Sequence, residues 1–251
     1  MKIIVPVKRV LDPNIPVRTG PDGKNIVHQN QPHAMNPFDE VALAKAAALC
    51  ADRSDCELVA LSVGNEKTAE TLRTALAMGA DRAIHIVTPD EQRLQSYDIA
   101  LLIAHVFKQE HADLVMMGKQ SVDTDAGQTP ALLAGFLDLP FLPNSFEVEI
   151  TDHHVVTTFE RGSTHTQVRA ALPAIVGCEL HLIDLRPISL PALMKARKKP
   201  LTSQRLEELP VVLHSPVTVL ALSPPPARPP CQLFDSVDDL ARQLTIDGLL
   251  K

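Results

Sequence analysis

The sequence has no tryptophan, a single tyrosine (Tyr97) and only 3% aromatic residues. Its core must therefore be built from Leu, Val, Ile and Ala. A basic excess is also missing, because the formal net charge is -6 at pH 7. A nucleic-acid binder neutralises phosphates with clustered Lys and Arg and offers aromatic faces for base stacking. With neither present, the composition argues against nucleic acid as a partner. Cysteine is scarce: the four residues Cys50, Cys56, Cys178 and Cys231 form no CxxC pair and no metal-ligand spacing. The expectation is reduced, mostly buried thiols in a reducing compartment. His153 and His154 are adjacent, so in a strand they face opposite ways. That makes a poor chelate, a solvated hairpin is the better reading, and no metal site is expected.

No apolar run reaches the ~20 residues that a membrane span needs. The opening MKIIVPVKRV is too short and too soon interrupted for a signal peptide and reads as a buried first strand. A soluble, cytoplasmic protein without membrane insertion is expected. Catalytic signatures are absent as well. There is no GxSxG elbow, no HExxH and no Cys/His pair, so no catalytic residues are expected.

What is present is length and aliphatic patterning. With 251 residues and 45% apolar content, the chain can bury a large core. Short apolar runs at Lys2–Val7, Glu57–Val63, Ala83–Val87 and Leu114–Met117 alternate with segments of helical spacing. The helical sets are Phe38, Val41, Ala42, Ala46 and Leu49; Ala69, Leu72 and Leu76; Ile99, Leu102, Ile103, Val106 and Phe107; and Leu132, Leu133, Phe136 and Leu137. This alternation predicts an α/β fold, a doubly wound and mostly parallel sheet covered on both faces. From Pro140, the runs Phe146–Ile150, Val155–Phe159 and Thr166–Val168 predict a small antiparallel β addition, followed by a last strand over Leu172–Val176. The α/β domain is placed at residues 1–199, with residues 200–251 as an extended arm. In that arm Pro224, Pro225, Pro226, Pro229 and Pro230 favour extended PPII, and a short helix falls within Asp235–Leu250. A long extended tail makes sense as an arm that wraps a partner.

Three segments can carry chemistry. In His33–Glu40, Asn36 is a good N-cap, Pro37 suits the first helical position, and Asp39 can answer Asn36 as a capping box. A well-capped helix explains this segment on its own. If a nucleotide lies nearby, the acids of the first turn favour base or ribose contact over phosphate. The second segment is Gly118-Lys119-Gln120-Ser121-Val122-Asp123-Thr124-Asp125-Ala126-Gly127-Gln128-Thr129, which follows a strand and feeds a helix. Ligands of open α/β sheets bind outside the carboxyl ends of strands, and a helix start supplies N–H donors to phosphate. The segment is neither a Walker A loop nor GxGxxG, and an ordinary polar connection explains it equally well. Asp123 and Asp125 could cap, bind ribose or bind Mg²⁺, and their spacing does not select among these. The third segment is Ser62-Val63-Gly64, where a plain turn is the simpler reading.

Taken together, several segments resemble the beta subunit family of electron transfer flavoproteins. They are Val7–Val10, His33–Glu40, Leu72–His85 (with Ala77–Arg82 the most specific stretch), the loop Gly118–Thr129, Leu172–Val176 and Leu190–Lys199. The resemblance covers nearly the whole chain, with departures at Pro6, Pro13, Pro130 and Leu185-Arg186-Pro187. It implies an electron carrier that pairs with an alpha subunit holding most of an FAD, while this subunit buries an AMP. By position, AMP would meet the backbone near Pro6, Asn36–Asp39, Val63 and the loop from Gly118 to Thr129, with Phe38 near the flavin. Leu190, Pro191, Met194 and Lys195 would dock flavin dehydrogenases as electron donors. A membrane-bound quinone reductase is one acceptor such a carrier can use. The alternatives are a bifurcating variant with a second FAD in place of AMP, and a stand-alone nucleotide-binding regulator of the stress-protein kind.

Overall fold

The computed structural model describes residues 1–27, 31–51, 53–89, 94–213 and 217–250. These fall into two compact units, one of Met1–Val17 with Val27–Val219 and one of Arg18–Ile26 with Leu220–Lys251.

The first unit is organised around a nine-stranded sheet. Its elements in chain order are β1 (Lys2–Pro6), β2 (Arg9–Leu11), β3 (His33–Met35), α1 (Pro37–Ala51), β4 (Glu57–Gly64), α2 (Thr68–Met78), β5 (Arg82–Val87), α3 (Ser96–Glu110), β6 (Leu114–Gly118), α4 (Thr129–Leu137), β7 (Phe141–Thr151), β8 (His154–Arg161), β9 (Thr164–Ala171), β10 (Ala174–Cys178), α5 (Leu190–Ala196) and β11 (Leu201–Arg205). The strand order is β11-β5-β4-β1-β6-β10-β7-β8-β9. Pairing is parallel from β11 to β7 and antiparallel through β8 and β9. The expected doubly wound α/β sheet with a β addition is therefore what forms. The turn at His153 closes the expected hairpin between β7 and β8.

Strand periodicity builds two cores, one on each face. Ile3, Val5, Leu58, Ala60, Leu114 and Met116 face α1 and α2. Their neighbours Ile4, Val59, Leu61, Val115 and Met117 face α3 and α4. Side chains alternate across a strand, so continuous aliphatic runs are needed to feed both layers. Each fully buried Leu or Ile contributes about 2 kcal/mol of transfer free energy.

Four local features differ from expectation. Cys50 and Cys56 are joined in a disulfide that closes the turn between α1 and β4, which corrects the reading of reduced thiols. Their Cα atoms lie 5.1 Å apart, inside the bridging range. Cys178 is buried and free, and Cys231 is exposed. The last strand begins at Ala174, because Pro173 has no N–H for the ladder. β11 joins the sheet edge beside β5, from Leu201↔Ala83 to Arg205↔Val87. A short antiparallel pair, β2 with β3, also forms.

The second unit contains α6 (Val237–Ile246), capped by Ser236, whose Oγ accepts from the Asp239 N–H at 3.1 Å. A bridge between Thr19 and Ile26 closes its first stretch, and a bond from the Leu222 N–H to the Gly23 carbonyl at 2.7 Å ties the first stretch to the second. Among the described residues, no helix is long and apolar enough to cross a membrane.

Candidate functional site

Parallel order places the ends of β1, β4 and β6 side by side. From β1 the chain winds outward through β4 and β5, then returns to the other side of β1 as β6. The carboxyl ends of β1 and β6 therefore flank the topological switch point, where open sheets leave a crevice. The register shows it: β1 and β6 pair only at Ile3↔Leu114 and Ile4↔Val115, and the strands then part.

Asp39 bridges that gap. Its Oδ2 accepts the Lys8 N–H at 2.9 Å and its Oδ1 accepts the Gly118 N–H at 3.1 Å. One carboxylate thus satisfies two backbone donors that the diverging strands leave without partners. Burial pushes the Asp39 carboxyl up to about 7, against the opposing pull of the bonds from Lys8, Asn36 and Gly118. Gly118 is required by this approach. A Cβ there would lie 2.4 Å from Asp39 Oδ1 and 2.6 Å from Phe38 Cβ.

Asn36 is fully buried and its amide is spent on the loop. Nδ2 donates to the Gln120 carbonyl at 2.9 Å, and Oδ1 accepts the Val122 N–H at 3.2 Å. The Asn36 N–H donates to the Lys8 carbonyl at 2.9 Å. The capping box expected between Asn36 and Asp39 is therefore replaced by long-range ties. Asn36 holds the loop and Asp39 holds the strands, while Pro37 does open α1 as expected.

Two lysines tie the loop to the strand ends beside it, one from outside the loop and one from within it. Lys8 Nζ lies 2.7 Å from both carboxylate oxygens of Asp123 and 3.2 Å from Ser121 Oγ. Burial works to raise the Asp123 carboxyl, but the Lys8 charge and hydrogen bonds outweigh it and hold the group below its ordinary range. Lys119 Nζ meets Glu179 Oε1 at 2.5 Å, and the same ammonium lies 5.6 Å from the centre of the Phe38 ring. Inside the loop, the Asp125 N–H returns to the Ser121 carbonyl at 2.8 Å, Ser121 Oγ meets Thr124 Oγ1 at 3.0 Å, and Gln120 Nε2 donates to Asp125 Oδ1. Asp125 and Gly127 have φ of 53° and 59°, the left-handed turns that fold the loop back.

The structure gathers Asn36–Asp39 and Gly118–Thr129 at the carboxyl ends of β1 and β6. Pro6 is buried at the end of β1, Val63 is half-buried near the end of β4, and residues 122–128 are exposed. The first turn of α4, starting at Thr129, has no acidic residue and no side-chain cap, whereas the first turn of α1 carries Asp39 and Glu40. The free N–H groups at a helix start suit an anion, and of the two helix starts only that of α4 is without acidic side chains. Two cavities, of about 370 and 400 Å³, open elsewhere on the carboxyl side at β4, β5 and β11, and share no residue with the loop. Among the described residues there is no cluster of three or more His, Cys, Asp or Glu able to hold a metal.

The segment expected to dock a partner lies elsewhere. On α5, Leu190 and Met194 are 73% and 55% exposed, while Ala196 is buried against the core. Pro191 and Lys195 are also exposed. Two cations lock this helix to α2 reciprocally. Arg73 Nη1 donates to the carbonyls of Ala196 (3.0 Å) and Lys199 (2.9 Å), while Lys199 Nζ donates to those of Leu76 (3.1 Å) and Ala80 (2.6 Å). Lys199 therefore turns inward to cap the end of α2 and is not part of an outward basic face. The stretch Ala77–Arg82 forms this joint. Gly79 takes φ 136°, and the Asp81 carboxylate accepts the Leu58 N–H at 2.8 Å.

Sequence reasoning missed Lys8 and Glu179 as site residues. Each lies within two residues of the end of a parallel strand, β1 or β10, so the rule that sites form at carboxyl ends could have found both.

Comparison with known proteins supplies the context. The sequence profile described as "Electron transfer flavoprotein domain" matches residues 24–209. The chain is 36% identical over 249 residues to human "Electron transfer flavoprotein subunit beta", covering 97% of this chain and 96% of that protein. It is 34% identical over 250 residues to the protein of the same name from Dictyostelium discoideum, covering 100% and 99%. It is 37% identical over 249 residues to "Electron transfer flavoprotein subunit beta, mitochondrial" of Oryza sativa subsp. japonica, covering 97% of each chain.

Proposed function

Because the chain belongs to the electron transfer flavoprotein family, with beta subunits as its relatives, we propose that it is the beta subunit of a heterodimeric electron carrier. It carries electrons and is not itself an enzyme. An alpha subunit holds most of an FAD, and this chain adds a wall to the flavin site and binds one AMP in the crevice between β1 and β6. The observation that supports this reading is the Asp39 bridge, which ties together the parted carboxyl ends of β1 and β6 beneath a loop fixed at several points.

The flavin supplies the redox chemistry, passing electrons singly. This chain's residues position and shield. The backbone of the loop from Gly118 to Thr129 and the start of α4 receive the phosphate. Asn36, Pro37, Phe38 and Asp39 form the floor, and Pro6 and Val63 close the strand side. Phe38, beneath the Lys119 ammonium, faces the flavin side of the subunit boundary. Leu190, Pro191, Met194 and Lys195 dock flavin dehydrogenases through a small, quickly released contact, with a membrane-bound quinone reductase as acceptor. Of the expected arm, Leu201–Arg205 is taken up in the sheet as β11; the stretch Leu220–Lys251 wraps the alpha subunit, and the complex works in the cytoplasm.

The test is co-production with the alpha subunit, followed by acid extraction and counting of adenine compounds. One FAD and one AMP per heterodimer are expected. Two FADs would move the chain to the bifurcating type. A stable ATP-binding homodimer without FAD would make it a stand-alone regulator.

A further inference from the structure

The tethers of the nucleotide loop differ in kind. Those from Asn36 are neutral, buried amide bonds to the backbone of Gln120 and Val122. The tether from Lys8 is ionic and partly exposed, with 42% of the Lys8 side chain and 32% of the Asp123 side chain open to solvent. Lys8 itself cannot drift. Its N–H is held by Asp39 and its carbonyl by the Asn36 N–H, so only the side chain reaches out, across 115 residues of sequence, to the loop. The ammonium grips two loop residues at once, Ser121 and Asp123, and these bracket the turn that Asp125 closes onto the Ser121 carbonyl. All these ties fall on residues 119–125. Beyond them the loop passes through the left-handed Gly127 into α4.

We propose that Lys8 is a positioning residue for the adenylate loop, with Asp123 as its partner. The pair fixes the first half of the loop as a wall and leaves the second half, 126–128, as the part that moves when nucleotide enters or leaves. The inference rests on the adenylate reading above and deepens it. It makes nucleotide retention depend on a charge pair outside the ligand's own contacts. A partly exposed pair is worth up to about 1 kcal/mol, which corresponds to roughly a fivefold change in a rate or equilibrium constant. Because the pair is reached by solvent, salt weakens it.

The experiment uses the heterodimer co-produced with its alpha subunit and loaded with labelled AMP, and follows AMP release during a chase with unlabelled AMP. Lys8→Met and Asp123→Asn should each speed release by roughly three- to fivefold. The double variant should be no faster than the faster single one, and Lys8→Arg should stay near the wild type. Release from the wild type should quicken with added salt, and release from Asp123→Asn should not. A purely structural role for Lys8 predicts none of the salt difference or the non-additivity. Unchanged release with AMP bound, or additive effects, overturns the tether and leaves the adenylate reading standing. A wild-type heterodimer that holds no AMP overturns both.

Discussion

The two ends of the sheet handle charge in opposite ways. At the amino end, Lys2, Glu57, Arg82 and Glu110 form a ring of ion pairs across β1, β4, β5 and α3. Lys2 Nζ lies 2.8 Å from Glu110 and 3.3 Å from Glu57, Arg82 Nε lies 2.7 Å from Glu57, and Arg82 also pairs with Glu110. Every member is shifted toward its charged form. The hydrogen bond from Arg82 holds both the Glu110 and the Glu57 carboxyl down, and the bond to Glu110 raises Lys2. At the carboxyl end, Asp39 has no paired cation of this kind. It is buried, spends its oxygens on backbone N–H groups, and is shifted toward its neutral form. The amino end is thus closed by mutually satisfied charges. The carboxyl end buries a carboxylate between two parted strands at a cost in stability, the kind of local exception that marks a candidate functional site.

Four substitutions sharpen or break this contrast. The largest effect should come from Gly118→Ala, because the added methyl meets Asp39 and the Phe38 backbone at 2.4 to 3.0 Å. A loss of about 3 kcal/mol is expected, roughly 6–12 °C in Tm for a chain of this size, read by thermal melting. A melting point within a degree or two of the wild type would mean that Asp39 and α1 do not abut the end of β6.

Next is Asp39→Asn, where the sign with pH is the test. The folded carboxyl sits at about 7 against an ordinary value of 3.8. Between those values the unfolded chain gives up this proton first. Stability from this group is therefore full below about pH 4 and is lost as pH rises through 7. Relative to the variant, the wild type should lose about 2 kcal/mol between roughly pH 5 and pH 8, seen in urea midpoints. A gap between the two proteins that stays constant with pH would contradict a buried Asp39.

Third, Arg82→Met should cost about 1 kcal/mol in low salt and less in high salt, since its partners are partly exposed. A cost that does not change with salt would make the amino-end ring equivalent to buried packing. The smallest global effect belongs to Arg73→Met, which removes two bonds to the end of α5. Overall stability should fall by less than about 1 kcal/mol. Amide exchange in residues 190–199 should quicken while that of β1 and β6 stays fixed.

Much of this fold was legible because aliphatic periodicity is strong. The runs that became β1, β4, β5 and β6, and the stripes that became α1 to α4, announce a two-faced sheet in sequence alone. β11 was hidden because its residues, Leu-Thr-Ser-Gln-Arg, are mostly polar and it pairs on one side only. The Cys50–Cys56 disulfide lacks the spacing that marks paired cysteines, so reduced thiols were the natural expectation. Within the site, the loop Gly118–Thr129 stood out through its place after a strand and before a helix. The work of Asn36 and Asp39 did not. Both look like local helix caps, yet their partners are 84 and 79 residues away. Long-range hydrogen bonds leave no periodicity to read, and Lys8 and Glu179 escaped notice for the same reason.

Amide hydrogen exchange of the heterodimer, with its adenine nucleotide retained and after it is stripped, addresses the central claim most directly. Stripping should expose residues 36–39 and 118–129 and leave the Lys2, Glu57, Arg82 and Glu110 end unchanged. Equal protection of the 118–129 loop in both states, or a change confined to the amino end, would show that no adenylate lies in the crevice between β1 and β6.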